Sequence, residues 1–213
     1  MKRLLLATRN RGKLRELAAL LGGEPLELVT LADHGGVGEI EETGTTFEEN
    51  ARLKASQAAR ATRMWTLGED SGLEVDALGG QPGIFSARYA GTHGDDAANN
   101  ARLMRELAGK PDRRARYVCA LALAAPDGEV VALTRGVCEG RIGNEARGTQ
   151  GFGYDPYFWP EAASSGSMAE LEPALKDAVS HRGQALRAMV SLLRMHLTAG
   201  ESTAASPGEP TLR

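Results

Sequence analysis

Apolar positions change spacing repeatedly along the chain, and each change marks an element. Arg3 to Thr8 is a compact apolar run that predicts a strand. Leu14, Leu17, Ala18 and Leu21 then recur at helical spacing until Gly22 and Gly23 end the pattern. Leu26 to Thr30 predicts a second strand. Thr46 followed by Glu49 has the form of a capping box, opening a helix through Ala51, Ala55, Ala58 and Ala59 that ends near Met64. From Trp65 to Leu78 the pattern approaches alternation and predicts strand, loop, strand, with Glu69-Asp70-Ser71-Gly72 at the first strand's end.

Farther along, Asp95 can cap a helix running through Leu107 to Gly109. Arg116 to Ala125 and the stretch from Glu129 predict an antiparallel hairpin joined by Pro126-Asp127-Gly128. A glycine-rich stretch, Arg147 to Pro156, leads to a short aromatic strand. Ala185, Leu186, Met189, Val190 and Leu193 then share one face of a closing helix. Thr198 to Arg213 holds almost no apolar residue, too little to offset the entropy of ordering it, and reads as a disordered tail after a domain spanning 1–197.

The 213 residues are 42% hydrophobic, enough for one sizeable core or two small lobes sharing a sheet. A formal net charge of -3 argues against a broad electrostatic grip on nucleic acid, so an anionic ligand needs a local basic cluster. Arg113, Arg114 and Arg116 form a basic run, but a short one beside a strand, which reads as a solvated edge. Cys119 and Cys138 are too few for a disulfide framework or a thiolate metal site and read as buried free thiols. No stretch approaches the ~18 apolar residues of a membrane span, so the expectation is a cytoplasmic protein that contacts neither membrane nor nucleic acid.

Four stretches carry candidate chemistry. Thr8, Arg9, Asn10, Arg11, Gly12 and Lys13 join the first strand to the first helix, where backbone amides and the helix dipole favour a phosphate, with Lys13 adding charge. The loop lacks P-loop spacing, and an ordinary polar connection explains it as well. Glu69 and Asp70 offer carboxylates for magnesium, with Glu41 or Glu42 as a second ligand; a solvated acidic turn is the plainer alternative. Phe152, Gly153, Tyr154 and Asp155 combine aromatics, permissive backbone and an acid, suiting a stacked purine base or else a tight turn plugging the core. Lys176, His181 and Arg182 place cationic or switchable groups before the last helix, with Ser180 as its cap; a solvated surface is again the alternative.

In order along the chain, these stretches resemble the inosine triphosphate pyrophosphatase family. The resemblance rests on Leu4 to Lys13, Glu41 to Ala51, Asp70 to Leu78, Gly79-Gly80-Gln81-Pro82-Gly83-Ile84-Phe85-Ser86-Ala87-Arg88-Tyr89, Gly151 to Pro156 and Ser180-His181-Arg182-Gly183. It implies an α/β fold in which an elongated mixed sheet with flanking helices forms two lobes around a nucleotide cleft, and a homodimer. It implies hydrolysis of non-standard purine triphosphates (ITP, dITP, XTP) to monophosphate and pyrophosphate. By that resemblance Thr8 to Lys13 bind the triphosphate, Glu41 and Asp70 hold magnesium, Asp70 is also the general base, and Ser71 contacts substrate. Phe152 to Asp155 line the base site, completed by Lys176, His181 and Arg182, while Glu42 rivals Glu41.

Two positions depart from the family pattern: Glu69, where a second Asp is common, and Arg9, where a small residue is common. The remaining readings are a pyrophosphatase of related fold acting on modified pyrimidines, a nucleotide sensor without turnover, and a nucleic-acid-binding module. Donors at His181 and Arg182 would favour a 6-oxo purine over adenine.

Overall fold

The computed structural model describes residues 2–34, 37–38, 40–163 and 166–198, so the proposed tail beyond 198 lies outside the described residues. Its strands are β1 (Lys2–Ala7), β2 (Leu26–Thr30), β3 (Trp65–Val75), β4 (Arg114–Ala124), β5 (Val130–Ile142) and β6 (Phe158–Pro160). Its helices are α1 (Arg11–Leu21), α2 (Phe47–Thr62), α3 (Asp96–Glu106), α4 (Pro173–Val179) and α5 (His181–Thr198). The strands form one mixed sheet in the order β2-β1-β3-β4-β5-β6, with β1 parallel to both neighbours and every later pairing antiparallel.

Several sequence expectations hold at the level of single atoms. Thr46 Oγ1 accepts from the Glu49 amide at 3.1 Å and Asp95 Oδ1 from the Ala98 amide at 2.9 Å, capping α2 and α3. The return half of the capping box is displaced by one residue: the Glu49 carboxylate accepts from the Thr45 amide at 2.6 Å and its hydroxyl at 2.9 Å. The hairpin around Asp127 forms as β4 and β5, and both cysteines are buried and free.

The expected strand, loop, strand does not form. Trp65 to Val75 is a single strand, followed by a 3-10 turn at Asp76–Leu78, so Glu69 and Asp70 lie inside a strand rather than at its end. The cause is the pairing: β4 runs antiparallel beside β3 from Thr66 to Val75, while β1 stops at Ala7 opposite Gly68. The two acids therefore sit just past the end of β1, held rigidly by β4 from one side.

Alternation along β4 divides the core. Cys119, Leu121 and Leu123 face α1 and α5, whereas Val118, Ala120, Ala122 and Ala124 face the alanine stripe of α2. Alanine and glycine let α2 approach closely, since a Cβ on Gly68 would stand 2.5 Å from the Ala55 amide nitrogen. Around the far ends of β3, β4 and β5 a second cluster gathers Leu73, Val75, Leu103, Tyr117, Tyr154 and Phe158, forming the second lobe.

Candidate active site

Between the lobes lies a cavity of about 590 Å³, within the range of small-molecule sites. Thr8, Arg9, Asn10, Arg11, Gly12, Lys13, Asp70, Ser71, Phe152, Gly153, Tyr154, Asp155, Lys176, His181 and Arg182 all line it. Glu41 does not: it is exposed, and Glu42 is the acid of that pair that faces the cavity.

At one end, Asn10 caps α1 with its side-chain oxygen, accepting from the Gly12 and Lys13 amides at 2.9 and 3.1 Å. These amides are thus already occupied, and a phosphate at this helix start would compete with Asn10 for them. Arg9 turns its guanidinium to the Val37 carbonyl at 2.7 Å. Lys13 reaches toward Glu69, with 3.6 Å between Nζ and Oε1.

The acidic centre is built on the close approach of α2 to β3. Lys54 of α2 stands 2.8 Å from Asp70 Oδ1 and 2.8 Å from Glu42 Oε1. Asn50, one turn earlier, donates to Asp70 Oδ2 at 3.2 Å and accepts from the Gly44 amide. Burial pulls the Lys54 pKa down, but Asp70 and Glu42 outweigh it and hold the ammonium form; burial pushes Glu42 up, yet Lys54 and Arg88 bring it below the usual range. Lys54 and Asn50 were invisible to sequence reasoning because a lysine on an alanine-rich helix reads as a solvated face.

Behind the cavity, Glu69 is 1% exposed and takes two bonds from Arg182, at 3.0 and 2.8 Å, and one from the Ser71 hydroxyl at 3.0 Å. Burial alone would raise its pKa; Arg182 and Lys13 reverse that and hold it well below the usual carboxylate range. Arg182 also pairs with Glu16 and donates to the Ser71 hydroxyl at 3.2 Å. His181 is 7% exposed and stacks on Tyr117 with 4.7 Å between ring centroids, its Nδ1 buried without a partner among the described residues. Burial and the neighbouring Arg182 keep it neutral, which leaves one N–H donor.

The segment Gly151 to Pro156 is tied from within by Asp155. One carboxylate oxygen accepts from the Phe152 amide at 3.0 Å and Lys176 at 2.8 Å, and the other from the Tyr117 hydroxyl at 3.1 Å. Burial raises the Asp155 pKa, while Lys176 opposes it. Lys176 sits on α4 and bridges to Glu16 at 2.8 Å. The two aromatics divide their work: Tyr154 is buried in the second lobe and donates to the Ser86 carbonyl at 2.9 Å, whereas Phe152 lies half-buried on the cavity wall.

Outside the cavity, the basic run finds local partners, and Arg114 stays solvent-exposed as a strand-edge residue is expected to. Arg116 pairs with Asp76 and Glu139, Arg114 with Asp112, and Arg113 donates to the Ile142 and Gly143 carbonyls. No described helix is long and apolar enough to cross a membrane.

Comparison with known proteins agrees with this architecture. The chain is 50% identical over 197 residues to the dITP/XTP pyrophosphatase of Exiguobacterium sibiricum, covering 92% of this chain and 98% of that protein. It is 52% identical over 198 residues to the dITP/XTP pyrophosphatase of Mycolicibacterium paratuberculosis, covering 91% and 96%. The solved structure of a HAM1 protein from Coxiella burnetii superposes with a TM-score of 0.82 at 40% identity, covering 92% of this chain and all of that one. A family model matches residues 4–192, which takes in every residue lining the cavity, and the chain belongs to the Ham1 family.

Proposed function

We propose that this chain hydrolyses non-standard purine nucleoside triphosphates, among them ITP, dITP and XTP, to the monophosphate and pyrophosphate. The observation that carries this reading is the convergence of Lys13, Asp70 and the aromatic Phe152 on one cavity, which supplies a cation for phosphate, a carboxylate for chemistry and a ring for the base. The names of the relatives support the same reaction.

The donor set fits a magnesium ion. Two carboxylate oxygens, from Asp70 and Glu42, already converge on one cation, the Lys54 ammonium, and magnesium needs only one or two protein carboxylates beside water and phosphate oxygens. Bound there, magnesium would neutralise phosphate charge. Asp70, fixed on an interior strand and held by Asn50 and Lys54, orients and deprotonates the attacking water at the α-phosphorus. Lys13 stabilises charge on the departing pyrophosphate. The reading also includes a cytoplasmic homodimer, for which light scattering should return twice the chain mass.

A panel of ITP, dITP, XTP, GTP and dATP, scored for monophosphate and pyrophosphate with and without magnesium, tests the assignment. The expected result is magnesium-dependent pyrophosphate release from the first three. Asp70→Asn should abolish turnover while calorimetry still records nucleotide binding. Release of orthophosphate, or near-normal turnover by that variant, would overturn it.

A further inference from the structure

We propose that Asp96 and Asn100, on the first turns of α3, are positioning residues that clamp the Gly153 peptide and thereby set how selectively the base is held. Asp96 Oδ2 accepts from the Gly153 amide at 2.7 Å, and Asn100 Nδ2 donates to the Gly153 carbonyl at 2.8 Å. Both backbone polar groups of Gly153, one from each peptide unit flanking its Cα, are thus held from a helix 53 and 57 residues away in sequence, while Asp155 accepts from the Phe152 amide. Asp96 also lines the cavity.

Gly153 lies between Phe152 and Tyr154, so holding the two peptide units that flank it fixes where the Phe152 ring stands against the cavity. Asn100 gives its second amide proton to the Asp96 carbonyl at 2.8 Å and leaves its own Oδ1 buried without a partner among the described residues. An unsatisfied buried acceptor is an energetic cost that folding alone would not select, and it is consistent with a side chain placed for the loop's sake. A ring held in one place penalises a poorly matched base; a ring free to drift accommodates it.

This inference rests on the proposed purine triphosphatase activity, and the test separates the two. Hydrogen exchange of the peptide covering 150–156 reads the clamp directly, whatever the activity. In Asp96→Ala and Asn100→Ala, exchange there should speed up, and ITP should bind about tenfold more weakly by calorimetry. KM should rise by a similar factor with kcat within about twofold, because Asp70 and its partners are untouched. The ITP-over-GTP ratio of kcat/KM should fall several-fold, and Asp96→Asn, which keeps an acceptor, should restore most of each loss. Faster exchange with unchanged affinity and selectivity, or a fall in kcat matching the rise in KM, would overturn the clamp's role. A wild-type protein that released no pyrophosphate from any purine triphosphate would sink the activity instead, leaving the clamp to be judged by exchange and ITP affinity.

Discussion

Gly12, in the first turn of α1, and Phe152, in the segment Gly151 to Pro156, share one contact surface: a Cβ on Gly12 would stand 2.5 Å from Cδ1 of the Phe152 ring. The helix-start end of the cavity and its aromatic end, proposed to hold phosphate and base, therefore touch through a glycine. Gly12→Ala should improve α1 by helix propensity yet push the ring aside, overpacking that costs about 1–3 kcal/mol. The expected outcome is a KM for ITP raised about tenfold with Tm lowered by no more than about 8 °C, because the helix gain of about 1 kcal/mol offsets part of the overpacking, measured by steady-state kinetics and thermal melts. An unaltered KM would show that the ring yields freely.

Glu69 supplies a second prediction, on stability. Removing its charge leaves Arg182 buried with Glu16 alone, so Glu69→Gln should cost about 3 kcal/mol at neutral pH. The sign of the pH dependence follows from the direction of the shift. Its folded pKa lies below the unfolded value of 4.5, so the contribution is complete above 4.5 and fades as pH falls below it. The stability gap between wild type and variant should stay constant from about pH 5 to pH 8 and shrink in acid, as denaturant titrations at each pH would record.

These residues mark where the sequence was legible and where it was not. Local signals read well: the caps at Thr46, Asp95 and Ser180, the hairpin at Asp127, and the cavity-lining stretches at Thr8 to Lys13 and Phe152 to Asp155. Glu69-Asp70-Ser71-Gly72 misled, because polar residues and glycine imitate a turn when the strand that pairs with them lies about fifty residues away. The resemblance put Glu41 ahead of Glu42, whereas Glu42 faces the cavity, since which of two adjacent acids turns inward depends on a loop with no periodicity. The helix α4 went unnoticed: it spans seven residues, none of them buried, and periodicity cannot register in so short a run.

His181 should not titrate near neutrality. Burial, with Arg182 beside it, depresses its folded pKa well below 6.5, so the neutral ring persists and its stabilising contribution is complete above 6.5 and lost as pH falls. Nitrogen-15 NMR of labelled histidine should show the His181 ring signals fixed as neutral imidazole from pH 8 to about pH 6. A midpoint for His181 near 6.5 would contradict the buried, stacked placement.

Lys54 offers the sharpest separation between holding a base and holding a metal. Its ammonium bridges Asp70 and Glu42, which means it occupies the point that a divalent cation would contest. Lys54→Met removes that competitor, so magnesium should bind the nucleotide-free protein more tightly by calorimetry. The same change frees one Asp70 oxygen, leaving Asn50 to hold the other, and a carboxylate that swings loses its aim at water. Turnover should therefore fall by about 10–100-fold even as metal affinity rises. Lys54→Arg, which keeps the charge in a larger planar head, should recover part of the rate. Tighter metal binding accompanied by faster turnover would show that Lys54 only obstructs the site, and weaker binding would show that the two acids do not converge on the metal.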